Sequence, residues 1–558
     1  MREIIPPDIE WLQRRWALPQ HAFHYVGNLM AAQEEGSTAC ELSASVAAKP
    51  WGNAAILVAA GVIPVEPKPL VIVRSRERAF LQSWNFFQAE RQIASRLLAL
   101  ARNEKRTLSN ENKLLELFPE AQSGDRQLEA GRVALSRQLT MITGGPGTGK
   151  TYTLARILAL LIESGIPASE IRLAAPTGKA ADRMKIAVGD SLAALPENFR
   201  DITEALKKVA DSSATVHSLI GYNPGTGRCR FESKSTLPIR VLIVDECSMV
   251  DVLLWRALLD ALPEDARLIL LGDPNQLESV GHGNVFGELA RVAGLKTSSL
   301  HASHVHLTEA RRFKDRSGIL AFAQALEGFD AGQAVSLLQH SSEAHTHTGL
   351  RWMATQGGAW NFSSLPGSIQ SALEKVASAD SPQTALAALG KVCILTAQRE
   401  YFVGSKATSA LIDLHFSQHP GANRNRPVII NRNDPETGLR NGVVGVIHTD
   451  SSGGKKAWFP ALKGGLQEFS VAKLPDYSSA WAITIHRSQG SEFDEVLVVL
   501  PQKESPMATR ELLYTAITRA KHSVIIAGDI DTVRTAAATR SNRQTLLALH
   551  LENLSDSN

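Results

Sequence analysis

Gly144-Gly145-Pro146-Gly147-Thr148-Gly149-Lys150-Thr151 is the stretch whose residue types and spacing point most directly to chemistry. Glycines at these intervals let successive backbone N–H groups turn inward on an anion, and a helix opening at Lys150 adds the partial positive charge of its N-terminus. This is the P-loop pattern. It places the Lys150 ammonium for the β and γ phosphates of ATP and the Thr151 hydroxyl for Mg2+. Two acids, Asp245 and Glu246, follow the apolar run Val241-Leu242-Ile243-Val244. Adjacent carboxylates repel in a low-dielectric site unless a cation and a water divide their tasks. Asp245 suits Mg2+ held through water, and Glu246 suits polarising an attacking water. Gln276, in Leu271-Gly272-Asp273-Pro274-Asn275-Gln276-Leu277, falls at the carboxyl edge of a third apolar strand, where a γ phosphate is sensed.

The elements that position these groups are legible as texture. From about Gln122 to Val305, short aliphatic runs (Leu139 to Thr143, Ile171 to Ala175, Val241 to Val244, Leu268 to Leu271) alternate with longer amphipathic ones. That alternation predicts an α/β layer with a parallel sheet and crossover helices. After the P-loop, Leu154, Ile157, Leu158, Leu161 and Ile162 recur at helical spacing. A second α/β layer is expected from Val392 to Thr396, Val428 to Ile430, Ala482 to Ile485, Val496 to Leu500 and Val524 to Ala527, with residues 330 to 390 as surface helices and loops. Residues 1–120 read as helical, with Phe86, Ile93 and Leu97 on one face. Short alternating segments broken by Asn441-Gly442 and Ser452-Gly453-Gly454 predict a small β insertion at 441–480. Asn223 to Arg230 reads as the tip of a hairpin within 221–238.

Composition bounds the answer. A chain of 558 residues is too long for one small module, and 44% hydrophobic with 21% charged residues is ordinary for a folded soluble protein. The 59 Lys and Arg against 56 Asp and Glu leave a net charge of only +3, so any polyanion contact must be local. Cys40, Cys229, Cys247 and Cys393 form no CxxC pair, which argues against a zinc ribbon or a disulfide framework and suits a reducing cytoplasm. No apolar run reaches membrane-spanning length, and the start lacks a secretory apolar core, so no membrane association is expected.

The P-loop and acidic pair alone fit a metabolite kinase as well as a motor. Seven segments in order decide further: Gly144 to Thr151, Ala175-Pro176-Thr177-Gly178-Lys179-Ala180-Ala181, Asp245 to Met249, Gly272 to Leu277, Ala310-Arg311-Arg312-Phe313, Thr484 to Asp494, and Leu513 to Ala520. Together they resemble the motif set of superfamily 1 helicases. Within that superfamily the chain most resembles the RecD branch, the alpha subunits of exonuclease V (RecBCD), supported by Arg426 to Ile430, Asn433-Asp434 and Gly438 to Gly442.

The resemblance implies two RecA-like motor domains, at 121–305 and 306–558, with a helical, partner-docking domain at 1–120 and an SH3-like module at 441–480. It implies that Gln127 reads adenine, that Arg312 and Arg519 are arginine fingers, and that Gly490 and Glu492 touch phosphate and ribose. Pro176, Thr177, Gly178 and Lys179 are implied to grip single-stranded DNA. His217, His486 and Gln489 would couple strand to nucleotide. The implied activity is ATP-dependent 5′ to 3′ DNA translocation at duplex ends beside RecB-like and RecC-like subunits, serving recombinational repair of double-strand breaks. No nuclease signature stands out. A stand-alone helicase, a mainly regulatory subunit and a metabolite kinase are the other readings.

Overall fold

The computed structural model describes residues 7–59, 62, 64, 66–75, 78–104, 111–119, 124–192, 195–308, 317–343, 349–355, 361–401, 403–419, 424–461, 464–501 and 505–556. Among these the strands form four sheets. The first contains β1 (Ala39–Leu42), β2 (Ala55–Ala59), β3 (Leu70–Ser75) and β4 (Arg78–Ser83), in the order β1-β4-β3-β2. The N-terminal region is therefore not purely helical. Its strands are short and set among prolines and glycines, which hides their period, yet Val71, Ile72, Val73 and Leu81 are all buried. The helix Trp84–Arg102 that follows buries Phe86, Ile93 and Leu97, as their spacing predicts.

The second sheet holds β5 (Leu139–Gly144), β6 (Ile171–Ala175), β7 (Ala214–Thr215), β8 (Val241–Val244), β9 (Arg267–Gly272) and β10 (His304–Leu307). Its order is β10-β5-β9-β8-β6-β7 and every pairing is parallel. β5, β8 and β9 are buried along their whole length, as expected for strands covered by helices on both faces. Their carboxyl ends carry Gly144, Asp245 and Asp273 to one edge of the sheet.

The third sheet begins with β11 (Leu350–Ala354) and β12 (Val392–Thr396). The chain then leaves it for β13 (Asn425–Ile430), β14 (Val444–Thr449), β15 (Lys455–Pro460), β16 (Leu466–Ser470) and β17 (Tyr477–Ser479), and returns with β18 (Ala482–Thr484), β19 (Phe493–Val499) and β20 (Ala520–Gly528). The third sheet is parallel, ordered β11-β20-β19-β12-β18. The insertion is antiparallel, ordered β16-β15-β14-β13-β17.

Three expectations change here. Val428 to Ile430 belongs to the insertion rather than to the second parallel layer, so the insertion starts at Asn425, because β13 pairs with β14 and β17. The 330–390 stretch contributes edge strand β11, which pairs with β20 and leaves Arg351 and Ala354 exposed. The chain end also leaves the third sheet: in the helix Leu547–Asp556, Leu547 and Leu551 pack into the core formed by Trp84–Arg102 and the second sheet. No helix among the described residues is long and apolar enough to cross a membrane.

Candidate functional site

The loop after β5 turns through Gly147 (φ +76°) and Gly149 (φ +86°), conformations that side chains with a Cβ rarely adopt. The Thr148 hydroxyl donates to the Gly145 carbonyl at 2.8 Å, and the Lys150 ammonium donates to the carbonyls of Gly144 (2.5 Å) and Gly145 (2.9 Å). The helix Lys150–Glu163 that follows buries most of its residues, so its N-terminus is rigidly aimed. Gln127 packs against the P-loop. It starts a helix capped by Asp125, is 7% exposed, and donates its amide N–H to the Thr148 carbonyl at 3.0 Å.

Asp245 is half-buried at the end of β8, and its Oδ1 accepts the Glu246 N–H at 2.8 Å. Burial pushes its carboxyl up to about 6 and the neighbouring Glu246 adds to this, while Lys150 and Arg183 oppose it. Glu246 is a non-glycine residue at φ +52°, strain of the sort that concentrates at functional sites. Gln276 is 5% exposed and donates to Asp273 Oδ2 at 3.4 Å, but its Oε1 has no hydrogen-bond partner. A buried amide oxygen left open beside a P-loop fits a bound nucleotide and its water. The Thr151 hydroxyl and Asp245 carboxylate, both on the same cavity, are hard oxygen donors of the kind Mg2+ takes.

That cavity, about 400 Å³, is walled by Pro146, Gly147, Gly149, Lys150, Thr151, Asp245, Glu246 and Gln276 from the second sheet's side and by Gly490, Glu492 and Arg519 from the third's. Arg519 is 3% exposed and is held by the Thr515 carbonyl (3.1 Å), the Ser491 carbonyl (3.3 Å) and the Thr518 hydroxyl (3.3 Å). Burial lowers its pKa, while Glu246, its largest stabilising neighbour, favours the charged guanidinium. Arg519 and Lys150 thus face one cavity from opposite lobes. Arg312 lies outside the described residues.

Side-chain bonds knit the lobes at this edge. The Leu277 N–H donates to the Thr515 hydroxyl at 2.7 Å, and Gln489 donates to the Leu277 carbonyl at 3.1 Å. Gln489 is 4% exposed, so it sits on the loop carrying Gln276. Glu492 forms an ion pair with Arg183.

The segment after β6 is half-buried. The Thr177 hydroxyl accepts the Ala180 N–H at 3.2 Å, opening the helix Gly178–Leu192. Arg440, from the insertion, lies so close to Gly178 that a Cβ there would be 2.8 Å from its Nη1. Burial depresses the Lys179 ammonium; Cys393 opposes this, and Arg183 and Arg519 add smaller depressions. His217 is exposed, edge-on to Tyr222 at 5.3 Å. His486 is largely enclosed, and burial followed by Arg543 lowers its pKa. The 221–238 stretch closes two tight loops, each through an isolated antiparallel bridge, Asn223 to Arg228 and Glu232 to Ser235.

Sequence reasoning missed four residues here. Arg183 follows Lys179 by one helical turn, a spacing that puts both on one face. Asp273 and Tyr514 lay inside quoted segments but carried no assigned role. Glu327 ends the helix Ser317–Glu327 and had no local signal.

With that geometry in place, comparisons with known proteins converge. The AAA domain family matches residues 127–282, and the UvrD-like helicase C-terminal domain family matches residues 479–527. The RecBCD enzyme subunit RecD of Mycobacterium tuberculosis is 34% identical over 514 residues, covering 90% of this chain and 85% of that protein. The subunit of the same name from Mycolicibacterium smegmatis is 32% identical over 568 residues, covering 98% and 97%. The ATP-dependent RecD2 DNA helicase of Deinococcus radiodurans is 30% identical over 419 residues, covering 74% of this chain and 50% of that one.

Proposed function

Because the chain belongs to the RecD family, and is a DNA-dependent ATPase of the RecBCD helicase type, we propose that it is a 5′ to 3′ motor acting at duplex DNA ends in the cytoplasm, in complex with RecB-like and RecC-like chains. The observation that carries this reading is the shared cavity: Lys150 and Arg519 face it from two lobes whose contacts run through the loop bearing Gln276. A stand-alone helicase is not favoured. The two RecD subunits match over 85% and 97% of their length, whereas RecD2 matches over half of its own.

In this mechanism Lys150 and the loop N–H groups bind the phosphates, and Gln127 orients the base. Thr151 and Asp245 would hold Mg2+, which supplies charge neutralisation at the β and γ oxygens. Glu246 positions and deprotonates the attacking water, and Gln276 aligns it. Arg519, and Arg312 by resemblance, neutralise charge developing on the γ phosphate. Gln489 and Thr515 pass the resulting shift of the Gln276 loop to the second lobe, while Thr177 and the N–H groups near Gly178 grip phosphates of the strand.

The test is ATPase rate with and without single-stranded DNA, for the wild type and Lys150→Gln, followed by co-purification with RecB-like and RecC-like chains. DNA stimulation that Lys150→Gln abolishes, together with co-purification, supports the reading. Turnover indifferent to DNA overturns the motor, and stimulation without co-purification overturns the subunit assignment.

A further inference from the structure

We propose that Arg183 is a nucleotide-phosphate ligand supplied by the first lobe and aimed by Glu492 of the second, a role that rests on the reading of the cleft as an ATP site. The helix Gly178–Leu192 presents one stripe to the cavity, comprising Ala180, Arg183, Met184, Ala187, Asp190 and Ser191. Ala180, Arg183, Ala187 and Asp190 recur every three or four residues, with Met184 and Ser191 beside them, so the stripe is a single helical face. Arg183 brings to that stripe its positive charge. Its side chain is 36% exposed, while its ion-pair partner Glu492 is 13% exposed. The guanidinium therefore reaches across the cleft and still presents surface to it.

Electrostatics argues for an anion beside it. Arg183 lies close enough to Lys179 and Arg519 for its charge to work against theirs. In an enclosed site, a cation that opposes the arginine on the facing wall is a liability unless a group of several negative charges binds between them. A triphosphate on the P-loop is such a group. A guanidinium has five N–H donors in a planar fork, so Arg183 can keep Glu492 on one edge and take a phosphate oxygen on the other. Glu492 then acts on nucleotide through Arg183 as well as through any contact of its own. The bond spans the lobes only when they are close, which makes Arg183 sensitive to closure.

The test uses the full chain and fluorescence-detected binding of a non-hydrolysable ATP analogue, ADP and adenosine, with single-stranded DNA affinity measured in parallel. Loss of a charge-assisted phosphate contact predicts that Arg183→Ala weakens the ATP analogue by about 10- to 100-fold. Adenosine binding and nucleotide-free DNA affinity stay unchanged. Arg183→Lys recovers part of the loss, since a point charge replaces the fork. Glu492→Gln weakens the analogue less than Arg183→Ala does. If Arg183→Ala leaves the analogue's affinity unchanged, or if Arg183→Ala and Glu492→Gln weaken analogue and adenosine equally, the pair is only a strut between lobes and the proposal is wrong. If the wild type binds neither ATP analogue nor ADP while the chain is folded, the reading of the cleft fails first and takes this inference with it.

Discussion

The Tyr514 hydroxyl lies 3.0 Å from Asp273 Oδ2, so a side chain of the second lobe bonds the carboxylate that flanks Gln276 in the first. The same hydroxyl is 2.9 Å from Glu327 Oε1, and a Cβ built on Gly145 of the P-loop would stand 3.0 Å from it. One phenolic proton cannot be donated to two carboxylates at once. Burial raises the pKa of both Asp273 and Glu327, which favours a proton held on one of them.

Tyr514→Phe removes the bridge while keeping the ring in its buried place. A buried hydrogen bond to a charged group contributes about 1.5–3 kcal/mol, a factor of roughly 10 to 100. DNA-stimulated kcat/KM for ATP is expected to fall by that factor, with thermal stability of the second lobe little changed. Steady-state kinetics against ATP concentration checks this, and an unchanged kcat/KM would show that the other bonds between the lobes, Leu277–Thr515 and Gln489–Leu277 among them, couple them without it.

Much of this edge was readable without coordinates, and the limit falls where contacts stop being local. The P-loop, Asp245 and Gln276 are announced by short motifs because each requires a fixed spacing to a strand end. Arg519 was found through its motif, yet nothing in Leu513 to Ala520 says that Tyr514 meets Asp273, 241 residues earlier in the chain. Glu327 ends an ordinary helix, and its role comes wholly from the fold. The first sheet was missed for a related reason: β1 and β4 pair across 40 residues, and the four-residue β1 is too short to show a period.

Arg440 is expected to help hold the strand. It lies against Gly178, where backbone N–H groups at a helix start face the proposed path of DNA phosphates. Arg440→Ala should weaken single-stranded DNA binding and lower the slope of log affinity against log salt by about 0.7, the counterion share of one phosphate contact on a single strand. Nucleotide affinity without DNA should not move. Titrations at several salt concentrations measure the slope, and equal slopes for the two proteins would place Arg440 outside the path.

Glu90 should make the junction of the N-terminal region with the chain end sensitive to pH. It is fully buried and accepts from the Thr38 hydroxyl (2.7 Å), the Gln82 amide (2.8 Å) and the Leu546 N–H (3.0 Å). Burial outweighs these three donors and pushes its pKa from 4.5 up to about 7. The folded state therefore holds the proton more tightly than the unfolded one. The associated stabilisation is complete below about pH 4.5, is lost progressively as pH rises to about 7, and stays lost above that. Its full size is on the order of 3 kcal/mol, from 1.36 kcal/mol per pKa unit. Amide exchange at Leu546 should show protection falling between pH 5 and pH 8 relative to Glu90→Gln, which keeps the hydrogen bonds without the charge. Parallel pH profiles for the two proteins would rule the titration out.

Arg543 carries the last segment of chain from the third sheet back to the first lobe. Its Nη1 donates to the carbonyls of Ser279 and Gly281, each at 2.6 Å, and its Nε is 3.1 Å from Glu278 Oε2. Glu278 also accepts the Ser541 hydroxyl at 2.6 Å, and Thr38 N–H bonds the Gln544 carbonyl at 2.9 Å. The strap thus touches the loop two residues beyond Gln276 and the first sheet within a few residues of itself. Arg543→Ala strands a carboxylate that is 8% exposed, and breaking a buried pair from one side costs about 3–5 kcal/mol. The expected result is local: amide exchange and proteolysis accelerate across 541–556 while β19 and β20 keep their protection. Removing the stranded charge as well, in Glu278→Gln with Arg543→Ala, should restore part of that protection, because the larger share of the penalty is the uncompensated carboxylate. A double variant as exposed as Arg543→Ala alone would assign the strap's hold to the carbonyl bonds instead.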